Sequence, residues 1–316
     1  MACSTMLYPL CASLFAVSLA ASGPVKPETE AHIADRLPDQ FIQPDAERIA
    51  IDRDRLERMT VSVRIDQGGP YAFIIDTASQ RTIVSKEIAG ALALDIEDQV
   101  TIVALAGSTV VQTVFVPSLT LGQRSYDGLI APTFRSEHIG ADGVLGLDSL
   151  QGQRILFDFL GRTISVEDIS EPLKSRSLRE IVVTARRRSG QLIFTNATIA
   201  GVRTSIIIDT GGELSIGNKA LQRRLRLKSS AMTQMNLVDI TGRSVPADYG
   251  IAEELLIGRA RFGIIPIAFA DIAPFKALRL GKTPALFLGM DALRRFDRVA
   301  IDFANRKIYF LLPEDA

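Results

Sequence analysis

Tyr71-Ala-Phe-Ile-Ile-Asp-Thr-Ala-Ser79 and Arg203-Thr-Ser-Ile-Ile-Ile-Asp-Thr-Gly-Gly212 decide how this chain is read. Each is an apolar run that ends on Asp-Thr followed by small residues. Such a run, closed by a polar loop, reads as a short buried strand. Asp76 and Asp209 therefore stand at strand ends, on tight loops. The second aspartate follows the first by 133 positions. Two further matches lie downstream in the same order. Val144-Leu-Gly-Leu-Asp-Ser-Leu150 matches Phe287-Leu-Gly-Met-Asp-Ala-Leu293, and Ile155-Leu-Phe-Asp-Phe159 matches Val299-Ala-Ile-Asp-Phe303. One match is a coincidence of common residues. Three in register mark a duplicated unit.

Local patterns repeat around these anchors. Residues 59–65 alternate apolar and polar, as a half-buried strand does, and Gln67-Gly-Gly-Pro70 reads as a turn before the strand 72–75. Ser85 is placed to cap a helix reaching about Leu92. In the second half, residues 191–199 read as a strand, Ala200-Gly201 as a turn and 205–208 as a strand. Asn218 is placed to cap a helix reaching about Leu225. Ala106-Gly107-Ser108 and Thr241-Gly242-Arg243 read as hairpin tips. The long helices of a βαβ parallel sheet are absent, so the expected fold is mostly β. Residues 169–180 contain Pro172, are polar and lack periodicity, so they read as a linker between lobes spanning 51–168 and 181–316. Asp148 and Asp291 follow the repeated glycines and read as helix N-caps; Asp158 and Asp302 read as strand or turn residues.

Composition narrows the chemistry. Of 316 residues, 47% are apolar, enough for a sizeable core. Lys plus Arg and Asp plus Glu both number 36, which gives no reason to expect nucleic acid as partner. The apolar stretch 7–19 ends in small residues and reads as a secretory signal peptide, residues 1–22, cleaved near Ala20 to Ser22. Its length is short for a membrane-spanning helix, and no later segment is long and apolar enough to span a bilayer. The expected location is periplasmic or secreted, with residues 23–50 a flexible linker. The only cysteines, Cys3 and Cys11, fall in that signal, which removes disulfides and thiolate nucleophiles from the mature protein. The only histidines are His32 and His138. A zinc site of several His or Cys ligands is out of reach, and a Ser-His-Asp triad rests on His138 alone. Carboxylates are left to carry acid–base chemistry, without metal or cofactor.

Two Asp-Thr loops related by a pseudo-twofold axis can bring two carboxylates within hydrogen-bond distance. Like charges that close share one proton. The ionised partner then activates a water, and the protonated partner donates to a carbonyl oxygen. The repeated Gly146 and Gly289 supply residues without side chains where a strand passes close behind each aspartate loop. Val144, Leu145, Phe287 and Leu288 are expected to pack beneath the carboxylates. The run from Gly212 to Lys219 lacks the Lys-Ser/Thr ending of a phosphate loop.

On these motifs the chain resembles the pepsin-like and retropepsin-like aspartic proteases, in the bacterial group with a signal peptide. The resemblance spans roughly residues 59–311. It implies a bilobal, mostly β acid-protease fold of two β-barrel lobes with short helices and a cleft between them. It implies a catalytic dyad of Asp76 and Asp209, supported by Thr77, Ala78, Thr210 and Gly211, with Thr77 and Thr210 interlocked beneath it. Flap hairpins map to Gly107 and Gly242, and the elements beneath the dyad to Leu145, Gly146, Leu288 and Gly289. The substrate class implied is peptide bonds, and two lobes in one chain make a monomer the expected state. One position departs from the pattern. Ala78 stands where the family most often has Gly, which opens a second reading: a non-catalytic protein that binds peptides or a partner through the cleft.

Overall fold

The computed structural model describes residues 47–50, 52–53, 59–168 and 179–313. The expected signal peptide, most of the 23–50 segment and nearly all of the 169–180 linker lie outside these residues. Among the described residues no helix is long and apolar enough to cross a membrane.

Each half of the chain builds an eight-stranded sheet with the same strand order. The first runs 52–53, 59–65, 68–75, 143–145, 83–85, 124–134, 107–121, 96–104. The second runs 186–188, 191–194, 205–208, 285–288, 216–217, 265–269, 244–252, 233–238. In the first half, Met59–Ile65 also pairs with the end of Gly107–Leu121, so the sheet curls back on itself. In the second half the same strands are interrupted. The residues 191–199 expected as one strand are two, Gln191–Phe194 and Ala197–Ile199. The second of these joins Val202–Arg203, Leu255–Ile257 and Ala260–Phe262 in a separate four-stranded sheet. The result is two β lobes with short helices, as the family resemblance implied.

The turn expected at residues 67–70 sits one step earlier, at Asp66 and Gln67, and Gly68–Ile75 is all strand. Asp66 takes the positive φ that the reversal needs. Both helix caps form. The Ser85 hydroxyl accepts from the Ile88 N–H at 3.2 Å, and the Asn218 carbonyl oxygen from the Leu221 N–H at 2.8 Å.

A six-stranded sheet joins the halves, in the order 47–50, 163–168, 153–158, 298–302, 307–311, 180–184. Glu47–Ala50, the end of the segment expected to be a linker, and Glu180, the last residue of the expected inter-lobe linker, both belong to strands here. Gln153–Asp158 pairs antiparallel with Arg298–Asp302, and Leu156 lies directly opposite Ala300. Those two residues are equivalent in the duplication, so the pseudo-twofold axis passes between them. Asp158 and Asp302 acquire a role here that their strand-end positions did not announce. Arg154 donates to Asp302 and to Glu167, each at 3.1 Å, with all three side chains buried. Its equivalent Arg298 pairs with Asp158 at 2.8 Å, closer to solvent.

The Leu-Gly elements hold the aspartate loops from behind. Gly143–Leu145 runs parallel to the strand ending at Ile75, and Ala285–Leu288 parallel to the strand ending at Ile208. The Leu145 and Leu288 carbonyls accept from the Asp76 and Asp209 N–H groups, each at 3.0 Å. The chain then turns under the far arm of each loop. A side chain on Gly146 would lie 2.3 Å from the Arg81 carbonyl, and one on Gly289 2.6 Å from the Leu214 carbonyl. Backbone stands on both sides, so only glycine fits.

Asp148 and Asp291 are not N-caps; Gly146 and Gly289 hold the cap positions of helices Leu147–Leu150 and Met290–Leu293. The carboxylates instead grip the loop arms. Asp148 accepts from the Thr82 N–H (2.8 Å) and hydroxyl (2.7 Å), and Asp291 from the Ser215 hydroxyl (2.7 Å). Burial pushes both carboxyls above their ordinary value, against the pull of these hydrogen bonds and of Arg81 and Arg295.

Two predictions follow from these contacts. Arg154→Ala leaves two carboxylates buried without their cation and costs about 3–5 kcal/mol in urea unfolding, whereas Arg298→Ala, where the arginine side chain is 17% exposed and one carboxylate is involved, costs less. For Asp148 and Asp291 the folded state holds protons that the unfolded chain has released. Their contribution is therefore greatest in acid and is lost as pH rises from near 3.8 through the raised folded values. Asp148→Asn with Asp291→Asn is expected to flatten that part of the Tm-against-pH curve; an unchanged slope contradicts the assignment.

Candidate active site

Asp76 and Asp209 end the strands Gly68–Ile75 and Ser205–Ile208, and both are fully buried. The loops that carry them meet at the threonines. The Thr77 hydroxyl donates to the Ile208 carbonyl at 2.9 Å and accepts from the Thr210 N–H at 3.3 Å. The Thr210 hydroxyl donates to the Ile75 carbonyl at 2.7 Å and accepts from the Thr77 N–H at 3.1 Å. Each hydroxyl thus uses its proton and a lone pair on the opposite lobe, donating and accepting through a single oxygen atom.

One oxygen of each carboxylate is tied to its own loop. Asp76 Oδ1 accepts from the N–H groups of Ala78 (2.7 Å) and Ser79 (3.1 Å), and Asp209 Oδ1 from that of Gly212 (3.0 Å). The rest of the Asp76 carboxyl lies against the opposite loop. A side chain on Gly211 would sit 2.3 Å from Asp76 Cγ and 2.5 Å from Oδ2. Gly211 is therefore the seat of the opposing carboxyl, and its φ is not positive. The requirement is room, not backbone freedom.

Ala78, the departure from the motif, carries no strain. Its φ is negative and its methyl is buried in an apolar cluster with Ile193, Ile207 and Phe287 of the second half. The Gln191 side-chain amide donates to its carbonyl, and that of Gln80 to the Ser189 carbonyl. The hairpin at residues 186–194 thus clasps the first aspartate loop from the other lobe. Nothing in the single sequence pointed to these two glutamines.

Gly107 and Gly242 lie at hairpin tips as expected, with φ of +127° and +79°. The tips cross over. Ile240, two residues before Gly242, is buried in a cluster with Ile74, Ile83 and Val144 of the first lobe. Leu105, two residues before Gly107, is buried with Ile207, Ile216 and Phe287 of the second. These two sets of three occupy equivalent positions in the duplication. A side chain on Gly242 would lie 2.6 Å from the His138 ring, so the tip needs glycine for space as well as for φ. Sequence reading named the glycines and missed Leu105 and Ile240. The signal was present, an apolar residue two before the tip glycine in both halves.

A cavity of about 240 Å³ opens beside the second tip, lined by Lys86, Val111, Phe134, Arg135, His138 and Ile240. Among the described residues no three His, Cys, Asp or Glu side chains gather as a metal site requires.

Comparison with known proteins gives the family. No curated protein matches the chain. Among solved structures, a retropepsin-like aspartic protease from Rickettsia conorii is 22% identical, with a TM-score of 0.33 over 42% of this chain and 90% of that one. The aspartyl protease family model matches residues 61–149 and 195–292, one segment on each aspartate loop and its Leu-Gly element. With more than half of its length matched in two duplicated segments, the chain belongs to the aspartyl protease family.

Proposed function

We propose that this protein is an aspartic endopeptidase in which Asp76 and Asp209 share one proton and activate a water between them. The observation that carries this reading is the reciprocal threonine interlock, with the Asp76 carboxyl seated against Gly211. It supports two acids converging in a site shielded from bulk water, where like charges favour the singly protonated pair. The ionised aspartate takes a proton from the water as its oxygen attacks the peptide carbonyl carbon. The protonated aspartate donates to the carbonyl oxygen, giving a tetrahedral diol. Collapse breaks the C–N bond: one diol hydroxyl returns its proton to the aspartate that had donated to the carbonyl oxygen, re-forming C=O, and the leaving nitrogen takes the proton first removed from the water. The substrate is an extended peptide or protein segment lying across the cleft. The apolar segment 7–19 supports a site of action in the periplasm or outside the cell, and the two lobes of one chain support a monomer.

Cleavage of a mixed peptide library, followed by mass spectrometry from acidic to neutral pH, tests the reading. Asp76→Asn and Asp209→Asn are each expected to lower turnover by a factor of about 10²–10⁴ with Tm retained. Cleavage that survives both substitutions excludes the dyad. No cleavage by the wild type on any peptide, together with saturable peptide binding, establishes the binding-only alternative. Ala78→Gly is expected to cost about 1 kcal/mol of stability through a freer unfolded chain and a lost methyl contact. Because the methyl sits without strain, turnover stays within about threefold of wild type; a larger gain would mean that the methyl holds Asp76 or Asp209 out of line, since displacements near ~1 Å cost about a hundredfold.

A further inference from the structure

The two hairpin tips occupy matching surroundings, and the residue that precedes each differs in charge. Leu105-Ala-Gly107 is preceded by Ala104, and Ile240-Thr-Gly242 by Asp239. Asp239 is 1% exposed. Its Oδ1 holds its own turn, accepting from the N–H groups of Thr241 (2.9 Å) and Arg243 (3.2 Å) and from the Thr241 hydroxyl (2.5 Å). Its Oδ2 crosses to the other hairpin and accepts from the Ala106 N–H at 3.1 Å. Arg243 answers in the same direction, with Nη2 donating to the Gly107 carbonyl at 3.1 Å. A buried carboxylate is costly unless donors surround it. Here three donors come from one tip and the fourth from the other, so the charge is satisfied only when the tips meet.

Each tip is also seated on the opposite lobe. Leu105 and Ile240 each fill an apolar cluster on the opposite lobe, and the Leu105 carbonyl accepts from the Ala273 N–H at 3.0 Å. Ile207 and Ile74 in those clusters lie two residues before Asp209 and Asp76, so the tips rest on the strands that carry the aspartates. Ala104 in the first hairpin has no side-chain acceptor to contribute, so both side chains of the tie, Asp239 and Arg243, come from one lobe.

We propose that Asp239 is a positioning residue whose carboxylate latches the two hairpin tips to each other and sets how readily the cleft opens to a peptide. The gating consequence rests on the dyad reading above; the latch itself does not. Hydrogen exchange on the full chain tests it, using wild type, Asp239→Ala, Asp239→Asn and Arg243→Ala. Loss of hydrogen bonds to a charged group should speed exchange at the Ala106 and Thr241 amides by about tenfold or more in Asp239→Ala. Amides of Ser205–Ile208 and Ala285–Leu288 should not change. Asp239→Asn keeps one acceptor oxygen and should fall between, and Arg243→Ala should have a smaller effect. The association rate of a statine-containing peptide should rise in parallel with the exchange rate at Ala106. Exchange at Ala106 within about twofold of wild type in both Asp239 variants overturns the latch, as does acceleration that spreads through Ala285–Leu288. Faster exchange with an unchanged association rate overturns the gating role. If the statine peptide fails to bind wild type, the dyad reading fails while the exchange data still decide the latch.

Discussion

Everything near the aspartates depends on two hydroxyl groups that each complete the opposite lobe. Thr77 and Thr210 take up the Ile208 and Ile75 carbonyls, the last backbone acceptors before the aspartates, and each receives the other's N–H. The loops cannot slide relative to one another without breaking all four contacts at once. Buried polar groups without partners cost about 1–3 kcal/mol each, so the pairing of the lobes and the satisfaction of the loops are one event. Neither aspartate loop is a finished structure alone.

That constraint propagates backward through the chain. A loop held from the front must be held from behind to keep its carboxylate still. The Leu145 and Leu288 carbonyls fix the aspartate N–H groups, and Gly146 and Gly289 let the chain pass within backbone contact of the loop arms. Thr82 and Ser215 then anchor those arms to Asp148 and Asp291. The Leu-Gly-Leu/Met-Asp pattern is thus one device, in which the leucine, the glycine and the aspartate each hold a different part of the loop.

Much of this was legible because duplication writes the same constraint twice. The strand ends at Asp76 and Asp209, the caps at Ser85 and Asn218 and the tip glycines all came from local pattern. What local pattern does not carry is the identity of a partner across the lobes. Asp158 and Asp302 read as strand residues because their arginines lie on another strand, far away in sequence. Asp148 and Asp291 read as caps because Thr82 and Ser215 precede them by many residues. The break between Phe194 and Ala197 depends on how the second barrel bends, which periodicity does not encode. Ala78 read as a departure whose effect was open, because its fit depends on a cluster built from the other half.

The pairing of Leu156 with Ala300 carries a further implication. Each half presents the other with the same edge that it receives, down to the Arg154–Asp302 and Arg298–Asp158 pairs. This is the geometry of an isologous dimer drawn inside one polypeptide. In a dimer of identical subunits every substitution appears on both sides of the axis. Covalent linkage lifts that restriction. Ala78 corresponds to Gly211, Asp239 to Ala104, and a fully buried ion triad to a pair nearer the surface. The single chain keeps the symmetry where two equal partners are required and abandons it where one suffices.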